Sequence, residues 1–335
     1  MTGASSGAGP VLLADIGGTN ARFAVLSAGT IEARGDFAVA EHPGPEAAIG
    51  AYLQSLDQEQ RPERALLAVA GPVAEGRAVL TNAAWRFDAQ TLTEALGCPV
   101  RLANDFEAQA WAAAASRPQD CPPDFQQIGG HDPVPGAPLA IIGPGTGLGM
   151  AGFVRDGGGS QDRVLGMAIV GEGGHMTLAP RNDAQAELLA RLRGRCGHVS
   201  AERVVSGPGL VLLASVLQSS GRAVPTSAEA VVAAARKGDE DARLALETFF
   251  DFLGVAAGNL ALALGARGGV FLTGGILPRL EEELAASRFR EAFEAKGRMR
   301  DYMAAIPCYL MRLRDPAFTG LRAMAEAWSR TSPAG

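Results

Sequence analysis

Three glycine-containing turns, each directly after an apolar run, have the residue types that bind phosphate. They lie at residues 15–20, 143–149 and 273–275. Glycine lets backbone N–H groups approach phosphate oxygens, and the hydroxyls of Thr19 and Thr146 add donors. Asp15 supplies a carboxylate for Mg²⁺, through bound water because Mg²⁺ gives up its water reluctantly. Any one turn is more typical of a tight hairpin, but the three together favour a nucleotide site.

The motifs of several common nucleotide sites are absent from this sequence. No G-x-x-x-x-G-K-[ST] segment exists, and neither Lys237 nor Lys296 lies in a glycine turn, which excludes a P-loop. A protein-kinase fold also needs a strand lysine for which the chain has no candidate. Residues 147–152 have G-x-G-x-x-G spacing but continue into a predicted strand, whereas a dinucleotide site needs a helix there.

Composition indicates a globular protein and narrows its partners. The chain has 335 residues, of which 47% are apolar and 20% charged, enough for two folded domains. A net charge of −6 argues against a nucleic-acid partner. Four scattered cysteines without a Cys-x-x-Cys pair fit a reduced, cytoplasmic setting. The longest apolar run, residues 260–266, is shorter than the ~20 residues of a membrane helix, so no membrane partner is expected.

Alternating strand and helix patterns predict an α/β fold. A strand–glycine turn–strand unit occurs at residues 11–26 and again at 139–154, which hints at two related domains. Residues 116–138 contain six prolines and are expected to form a loop at the domain boundary. An exposed glycine-rich turn is expected at 156–160. The other predicted strands are 65–70, 100–103 and 270–273, and the predicted helices are 89–96, 106–115, 183–193, a segment with a Thr226–Glu229 capping box, and 240–264.

The chain resembles the bacterial glucokinases of the hexokinase, actin and heat-shock chaperone superfamily. The resemblance extends over nearly the whole chain and rests on six segments in the family's order: residues 15–22, 102–106, 143–149, 171–175, 197–203 and 272–276. It implies a two-domain actin-like ATPase (ribonuclease H-like) fold with the active site in an inter-domain cleft that closes on sugar. The small domain would be residues 1–115 plus 315–335, ending in a helix after Asp315, and the large domain residues 116–314. Homodimers are common in the family.

The resemblance also implies residue roles. The reaction would be phosphoryl transfer from MgATP to the 6-hydroxyl of glucose, the first step of glycolysis, with Asp105 as catalytic base. The sugar would be bound by Asn104, Asp105, Glu172, His175 and Glu202. ATP would be bound by Asp15, Gly17, Gly18, Thr19, Asn20, Gly145, Thr146, Gly274 and Gly275, with Mg²⁺ near Asp15.

Simpler explanations remain open for single residues. Asp105 follows a predicted strand and starts a predicted helix, so it fits an N-cap. Glu202 fits a first-turn carboxylate, and His175 an ordinary loop histidine. For the whole protein, the alternatives are a kinase for another hexose, a non-catalytic sugar sensor or an acetate-kinase-like enzyme. Residues 176–183 lack the cysteine-rich zinc motif of the related sugar-responsive repressors.

Overall fold

The structure is a computed structural model that describes residues 9–80, 83–116, 118–119, 122–156, 164–219, 221 and 223–331. The turn predicted at 156–160 falls largely outside these residues. The strands are β1 (Val11–Ile16), β2 (Asn20–Ser27), β3 (Thr30–Ala38), β4 (Arg64–Val69), β5 (Val73–Ala74), β6 (Arg77–Val79), β7 (Arg86–Asp88), β8 (Val100–Asn104), β9 (Phe125–Gln127), β10 (Leu139–Pro144), β11 (Leu148–Arg155), β12 (Gly166–Gly171), β13 (Val270–Leu272) and β14 (Cys308–Met311). The helices are α1 (Pro45–Gln54), α2 (Ala89–Leu96), α3 (Asp105–Ala115), α4 (Asp183–Cys196), α5 (Ala201–Val204), α6 (Gly207–Leu217), α7 (Ala228–Arg236), α8 (Glu240–Leu264), α9 (Glu281–Ala286), α10 (Phe289–Glu294), α11 (Arg300–Ala305) and α12 (Pro316–Thr331).

The chain divides into two compact units. Unit 1 consists of Met1–Ser116, Gly158–Leu165 and Arg314–Gly335, and unit 2 of Arg117–Gly157 and Gly166–Leu313. Unit 1 is built on a five-stranded sheet with the order β3-β2-β1-β4-β8. β1 pairs antiparallel with β2 and parallel with β4, and β4 pairs parallel with β8. The segments that follow β1, β4 and β8 therefore lie at the same edge of this sheet.

Unit 2 repeats this arrangement. Its six-stranded sheet has the order β12-β11-β10-β13-β14-β9. β11 is antiparallel to both β10 and β12, whereas β10, β13 and β14 run parallel. Strand β9 adds an antiparallel edge next to β14. Two copies of one strand order confirm the predicted α/β class and its ribonuclease H-like, actin-type fold.

Each unit has its own apolar core. In unit 1, Phe23, Tyr52 and Trp85 are buried, and α3 packs against α12. The helices approach closely at Gly320, where a Cβ would lie 1.8 Å from the carbonyl oxygen of Ala108. No other residue type fits at that position without moving one of the two helices.

Helix α8 is the central helix of unit 2. It buries Phe249, Phe250 and Phe252. Asp239 is its N-cap and Gly265, at φ 60°, its C-cap, so its bounds agree with the predicted helix 240–264. Its length and composition would allow it to cross a membrane, although the sequence shows only short uninterrupted apolar runs. Within the protein, however, 78% of its most apolar stretch is buried, as in a core helix.

Two predicted helix boundaries were wrong, and strands β3 and β9 were among those missed. Helix α4 continues through Gly194 to Cys196 and is capped by Gly197, because one glycine costs a helix interior only ~1 kcal/mol. Helix α7 is capped by Ser227, whose Oγ accepts from the Ala230 N–H, and not by Thr226. Strand β3 was not predicted, since none of its residues is buried and its apolar pattern is correspondingly weak. Strand β9 lies inside the proline-rich segment that was expected to be a loop.

Candidate active site

The turn between β1 and β2 leaves room above its backbone. The Gly17 N–H donates to the Asn20 carbonyl over 2.9 Å, and the Thr19 carbonyl accepts from the Val39 N–H. Neither Gly17 nor Gly18 has a positive φ, and a Cβ on Gly17 would come no closer than 3.8 Å to another group. Nothing within unit 1 therefore requires glycine at position 17. A ligand that approaches the backbone at this turn would explain why position 17 is glycine.

Asp15 is a carboxylate whose charge is only partly compensated. It faces Arg22 across the β1–β2 pair, with Arg22 Nη1 3.5 Å from Asp15 Oδ2. Burial raises the pKa of Asp15; Arg22 opposes the rise and Asp315 adds to it. Arg22 also lies 3.9 Å from Asp36, so its charge is shared between two carboxylates. A bound cation would relieve this and stabilise the ionised form of Asp15.

The surroundings of Asp15 fit a metal ion whose ligands are mostly not protein side chains. Within the described part of the chain, no group of three or more His, Cys, Asp or Glu side chains is placed to hold a metal. A Mg²⁺ ion near Asp15 would therefore take its remaining ligands from water and from substrate phosphates, which is how Mg²⁺ is commonly held beside nucleotides.

Asp105 is the first residue of α3, directly after β8. The N-cap is the preceding residue, Asn104, whose Oδ1 accepts from the Phe106 N–H over 2.8 Å. The Phe106 nitrogen also lies 3.1 Å from Asp105 Oδ1, which is a longer distance than the one to Asn104 Oδ1. The alternative that Asp105 is simply the N-cap is thus wrong, because Asn104 has that role. The first turn of a helix favours a negative charge at Asp105.

Asn104 also connects the ends of two parallel strands. Its Nδ2 donates to the carbonyl of Gly71, over 2.8 Å, just beyond β4. Gly71 has a φ of 157°, a backbone conformation that favours glycine. Both polar atoms of the Asn104 side chain are therefore used in fixing the start of α3. Its predicted contact with sugar would have to be made by the second hydrogen of Nδ2 or the second lone pair of Oδ1.

Glu107 is a supporting residue that the sequence analysis missed. It accepts from Arg101 Nη2 over 2.9 Å. Burial raises the pKa of Glu107, while Arg101 and the Asn104 backbone N–H oppose the rise. Asn104 and Glu107 stand three residues apart, which is the spacing of a capping box with asparagine at the N-cap. That spacing was visible in the sequence and could have identified Glu107.

In unit 2, two glycine turns lie side by side because β10 and β13 are parallel neighbours. Ile142 on β10 is in register with Leu272 on β13. A Cβ on Gly143 would lie 2.8 Å from Thr273 Cγ2, and one on Gly274 would lie 2.5 Å from the Pro144 carbonyl oxygen. These two glycines let the strand ends meet.

Gly145 and Gly275 differ from these two, since a Cβ on either would meet nothing within 4 Å. Neither has a positive φ. Thr146, next to Gly145, is exposed. Unit 2 thus presents two accessible stretches of backbone with free space above them, as unit 1 does at Gly17.

Three of the five residues predicted to bind the sugar lie together in unit 2. His175 Nε2 is 3.9 Å from Glu172 Oε2, and His175 Nδ1 is 3.9 Å from Glu202 Oε1. The side chains of Glu172 and His175 are 62% and 61% exposed, and that of Glu202 is 32% exposed. An imidazole between two accessible carboxylates can donate to, or accept from, several neighbouring hydroxyls.

Backbone hydrogen bonds bring these residues together from distant parts of the sequence. His175 is the last residue of a 3₁₀ turn, Gly173–His175, that follows β12, and Glu172 is the residue just before that turn. Glu202 lies on α5, and the Ala201 N–H donates to the Met176 carbonyl over 2.9 Å. Leu178 N–H donates to the Val199 carbonyl over 3.0 Å. Two short segments are thereby paired side by side.

The predicted site residues therefore fall into two groups. Unit 1 holds Asp15, Gly17, Gly18, Thr19, Asn20, Asn104 and Asp105. Unit 2 holds Gly145, Thr146, Glu172, His175, Glu202, Gly274 and Gly275. Within each unit these residues follow the carboxyl ends of strands or adjoin such turns. Their roles in binding and catalysis stay predictions.

Comparison with known proteins gives a consistent result. The family model described as Glucokinase matches residues 12–328. A glucokinase from Paramagnetospirillum magneticum is 41% identical over 318 residues, covering 93% of this chain and 96% of the relative. A glucokinase structure from an Antarctic psychrotroph is 36% identical with a TM-score of 0.83, covering 95% of this chain and 98% of that one. A ROK family glucokinase from Streptomyces griseus, in complex with glucose and AMPPNP, shares the fold at 23% identity and a TM-score of 0.59, covering 94% and 99%.

Fold and sequence together define an ATP-dependent hexose kinase with an actin-like fold. The chain belongs to the glucokinase family. This membership confirms the resemblance found in the sequence and the predicted glucokinase function.

The partly compensated charge of Asp15 leads to a prediction about stability. Because the pKa of Asp15 is raised, its ionisation destabilises the folded protein once the pH exceeds the ordinary value of 3.8. Asp15→Asn should therefore raise the melting temperature of the ligand-free protein at pH 7, and the gain should shrink as the pH falls toward 4. The same substitution should raise KM for MgATP. Thermal unfolding at both pH values measures the first effect.

Asp36→Asn is the matched control, since Asp36 is an exposed carboxylate beside the same Arg22. It should leave KM for MgATP unchanged. A lower melting temperature for Asp15→Asn than for the wild-type protein at pH 7 would contradict the prediction.

Proposed function

We propose that this chain transfers the γ-phosphoryl group of MgATP to the 6-hydroxyl of glucose, the first step of glycolysis, with Asp105 as general base. The observation that carries the assignment of the base is the start of α3. There the capping bond is made by the Asn104 amide oxygen, and Asp105 adds a carboxylate to a helix end that is already capped. The Streptomyces griseus enzyme of the same fold, in complex with glucose and AMPPNP, supports these two substrates.

In the proposed reaction, glucose O6 forms a bond to the γ-phosphorus while the bond from that phosphorus to ADP breaks. The proton of the 6-hydroxyl passes to the Asp105 carboxylate. In phosphoryl transfer of this kind, the protein mainly positions the groups and neutralises charge. Asn104 and Glu107 hold the start of α3 and thereby orient Asp105 toward the hydroxyl.

Phosphate binding is assigned to the accessible turns of both units. The backbone N–H groups near Gly17 and Gly145, with the hydroxyls of Thr19 and Thr146, would donate to phosphate oxygens. Gly274 and Gly275 would lie along the nucleoside. Mg²⁺, held near Asp15 through water, would supply positive charge to the phosphoryl oxygens.

Sugar recognition is assigned to Glu172, His175 and Glu202, together with Asn104 and Asp105. Carboxylates that lose an expected hydroxyl partner are left without a hydrogen bond, which disfavours sugars that lack that hydroxyl. This arrangement supports glucose as the acceptor.

The first experiment is coupled ADP release from MgATP with glucose, mannose, fructose and N-acetylated hexoses. We expect glucose to give the highest kcat/KM. Preference for another hexose would overturn the sugar assignment but keep the kinase mechanism, whereas no turnover with any sugar would favour a non-catalytic sensor.

Asp105→Asn tests the catalytic role. Removing a general base lowers kcat by about 10²–10⁴-fold, and ADP binding should be retained. The chain contains a matched control in Asp183, which is also the first residue of a helix, α4, capped by the preceding Asn182. Asp183→Asn loses the same helix-dipole interaction, ~0.3–1 kcal/mol, and should keep its kcat. Near wild-type turnover in Asp105→Asn would refute the assignment.

A cytoplasmic homodimer is proposed as well. In the described residues, β12 forms one edge of the unit 2 sheet and exposes Met167, Ile169 and Val170, which is typical of an interaction surface. Light scattering should give twice the mass of the 34.5 kDa chain. A mass of one chain at micromolar concentration would contradict the dimer.

A further inference from the structure

Gly147, in the 143–149 turn, lacks a side chain at a point where the carboxylate of Glu202, a predicted sugar-binding residue, lies close by. A Cβ on Gly147 would lie 2.5 Å from Glu202 Oε2 and 3.3 Å from its carboxyl carbon. Gly147 does not have a positive φ, so its backbone conformation alone would accept alanine. Glycine is therefore needed at position 147 because the Glu202 carboxylate occupies the adjacent space.

The same carboxylate is hydrogen-bonded to the turn. The Leu148 N–H donates to Glu202 Oε2 over 3.0 Å. The other oxygen of Glu202, Oε1, lies 3.9 Å from His175 Nδ1. With the side chain 32% exposed, one oxygen is engaged by the phosphate turn while the other adjoins the sugar-recognition group.

Two further contacts connect the turn to the sugar-binding segments. The Gly207 N–H, just after α5, donates to the Gly145 carbonyl over 2.8 Å. A Cβ on Gly174, inside the 3₁₀ turn that carries His175, would lie 2.2 Å from the Leu148 carbonyl oxygen. The phosphate turn is thus held at Gly145 and at Leu148 by the same segments that present Glu202 and His175.

We propose that Gly147, although it belongs to the nucleotide turn, is a positioning residue for the sugar, and that it acts by leaving space for the Glu202 carboxylate. The inference rests on the proposed function, because it takes Glu202 as a sugar ligand. It assigns to position 147 an effect on glucose that its place in a phosphate turn would not suggest.

The test is Gly147→Ala. The new methyl group would collide with the end of a flexible side chain, so we expect Glu202 to move while the fold is retained. Loss of a hydrogen bond from a charged group corresponds to at least about a tenfold weaker Kd for glucose. The Kd for ADP without sugar should change by less than about threefold. Calorimetric titration of glucose and of ADP gives both constants without requiring turnover.

The matched control is Gly194→Ala, inside α4, where a Cβ would meet nothing within 4 Å. It should bind glucose and ADP like the wild-type protein. An effect of Gly147→Ala on ADP alone, or unchanged glucose binding, would overturn the proposal.

A double-mutant cycle with Glu202→Ala shows whether the effect passes through the carboxylate. Glu202→Ala removes the group that the new methyl would strike, so adding Gly147→Ala should then have no further effect on the glucose Kd or the melting temperature. If Gly147→Ala alone fails to fold, the double variant should fold like Glu202→Ala; a double variant that also fails would overturn the proposal. Failure of the wild-type protein to phosphorylate any sugar would instead count against the proposed function.

Discussion

Both units depend on the pairing of one strand with an antiparallel partner on one side and a parallel partner on the other. β1 and β10 are in this position in their sheets. The antiparallel partner follows through a tight turn, and the parallel partner ends beside that turn. Because parallel strands end at the same edge, each unit gathers its glycine turns and polar residues there. The close approach of Gly143 and Gly274 to neighbouring groups is a direct result of this pairing.

Much of this could be predicted from the sequence because its signals are local. Apolar runs identified the central strands, and the helix predicted at 240–264 has the same limits as α8. Repetition of the strand–turn–strand unit indicated two related domains. Glycine, threonine and aspartate after strands identified the turns. These features are set by a few consecutive residues, so they can be read without knowing the tertiary structure.

The remainder depends on contacts between distant residues. The hydrogen bond from the Leu148 N–H to Glu202 joins positions 54 residues apart, and no local sequence pattern predicts it. Strand β3 could not be recognised because it buries no residue, so pairing with β2 rather than an apolar face decides its conformation. Helix α4 ends at Cys196, with Gly197 as its C-cap, since the weak preference of helices against glycine is too small to end the helix at position 194.

The space above Gly17, Gly145 and Gly275 distinguishes glycines that the fold does not require from glycines that it does. An alanine at any of these positions meets no group of the protein closer than ordinary contact distance. The substitution should therefore hardly change the abundance of the folded enzyme in a cell. At Gly143, Gly174 or Gly320, the same change collides with the protein itself. A survey that scored only folded protein would thus regard the first three glycines as dispensable, whereas growth that depends on sugar phosphorylation would preserve them. Positions that tolerate alanine in the first survey but not in the second would be those where the substrate lies close to the backbone.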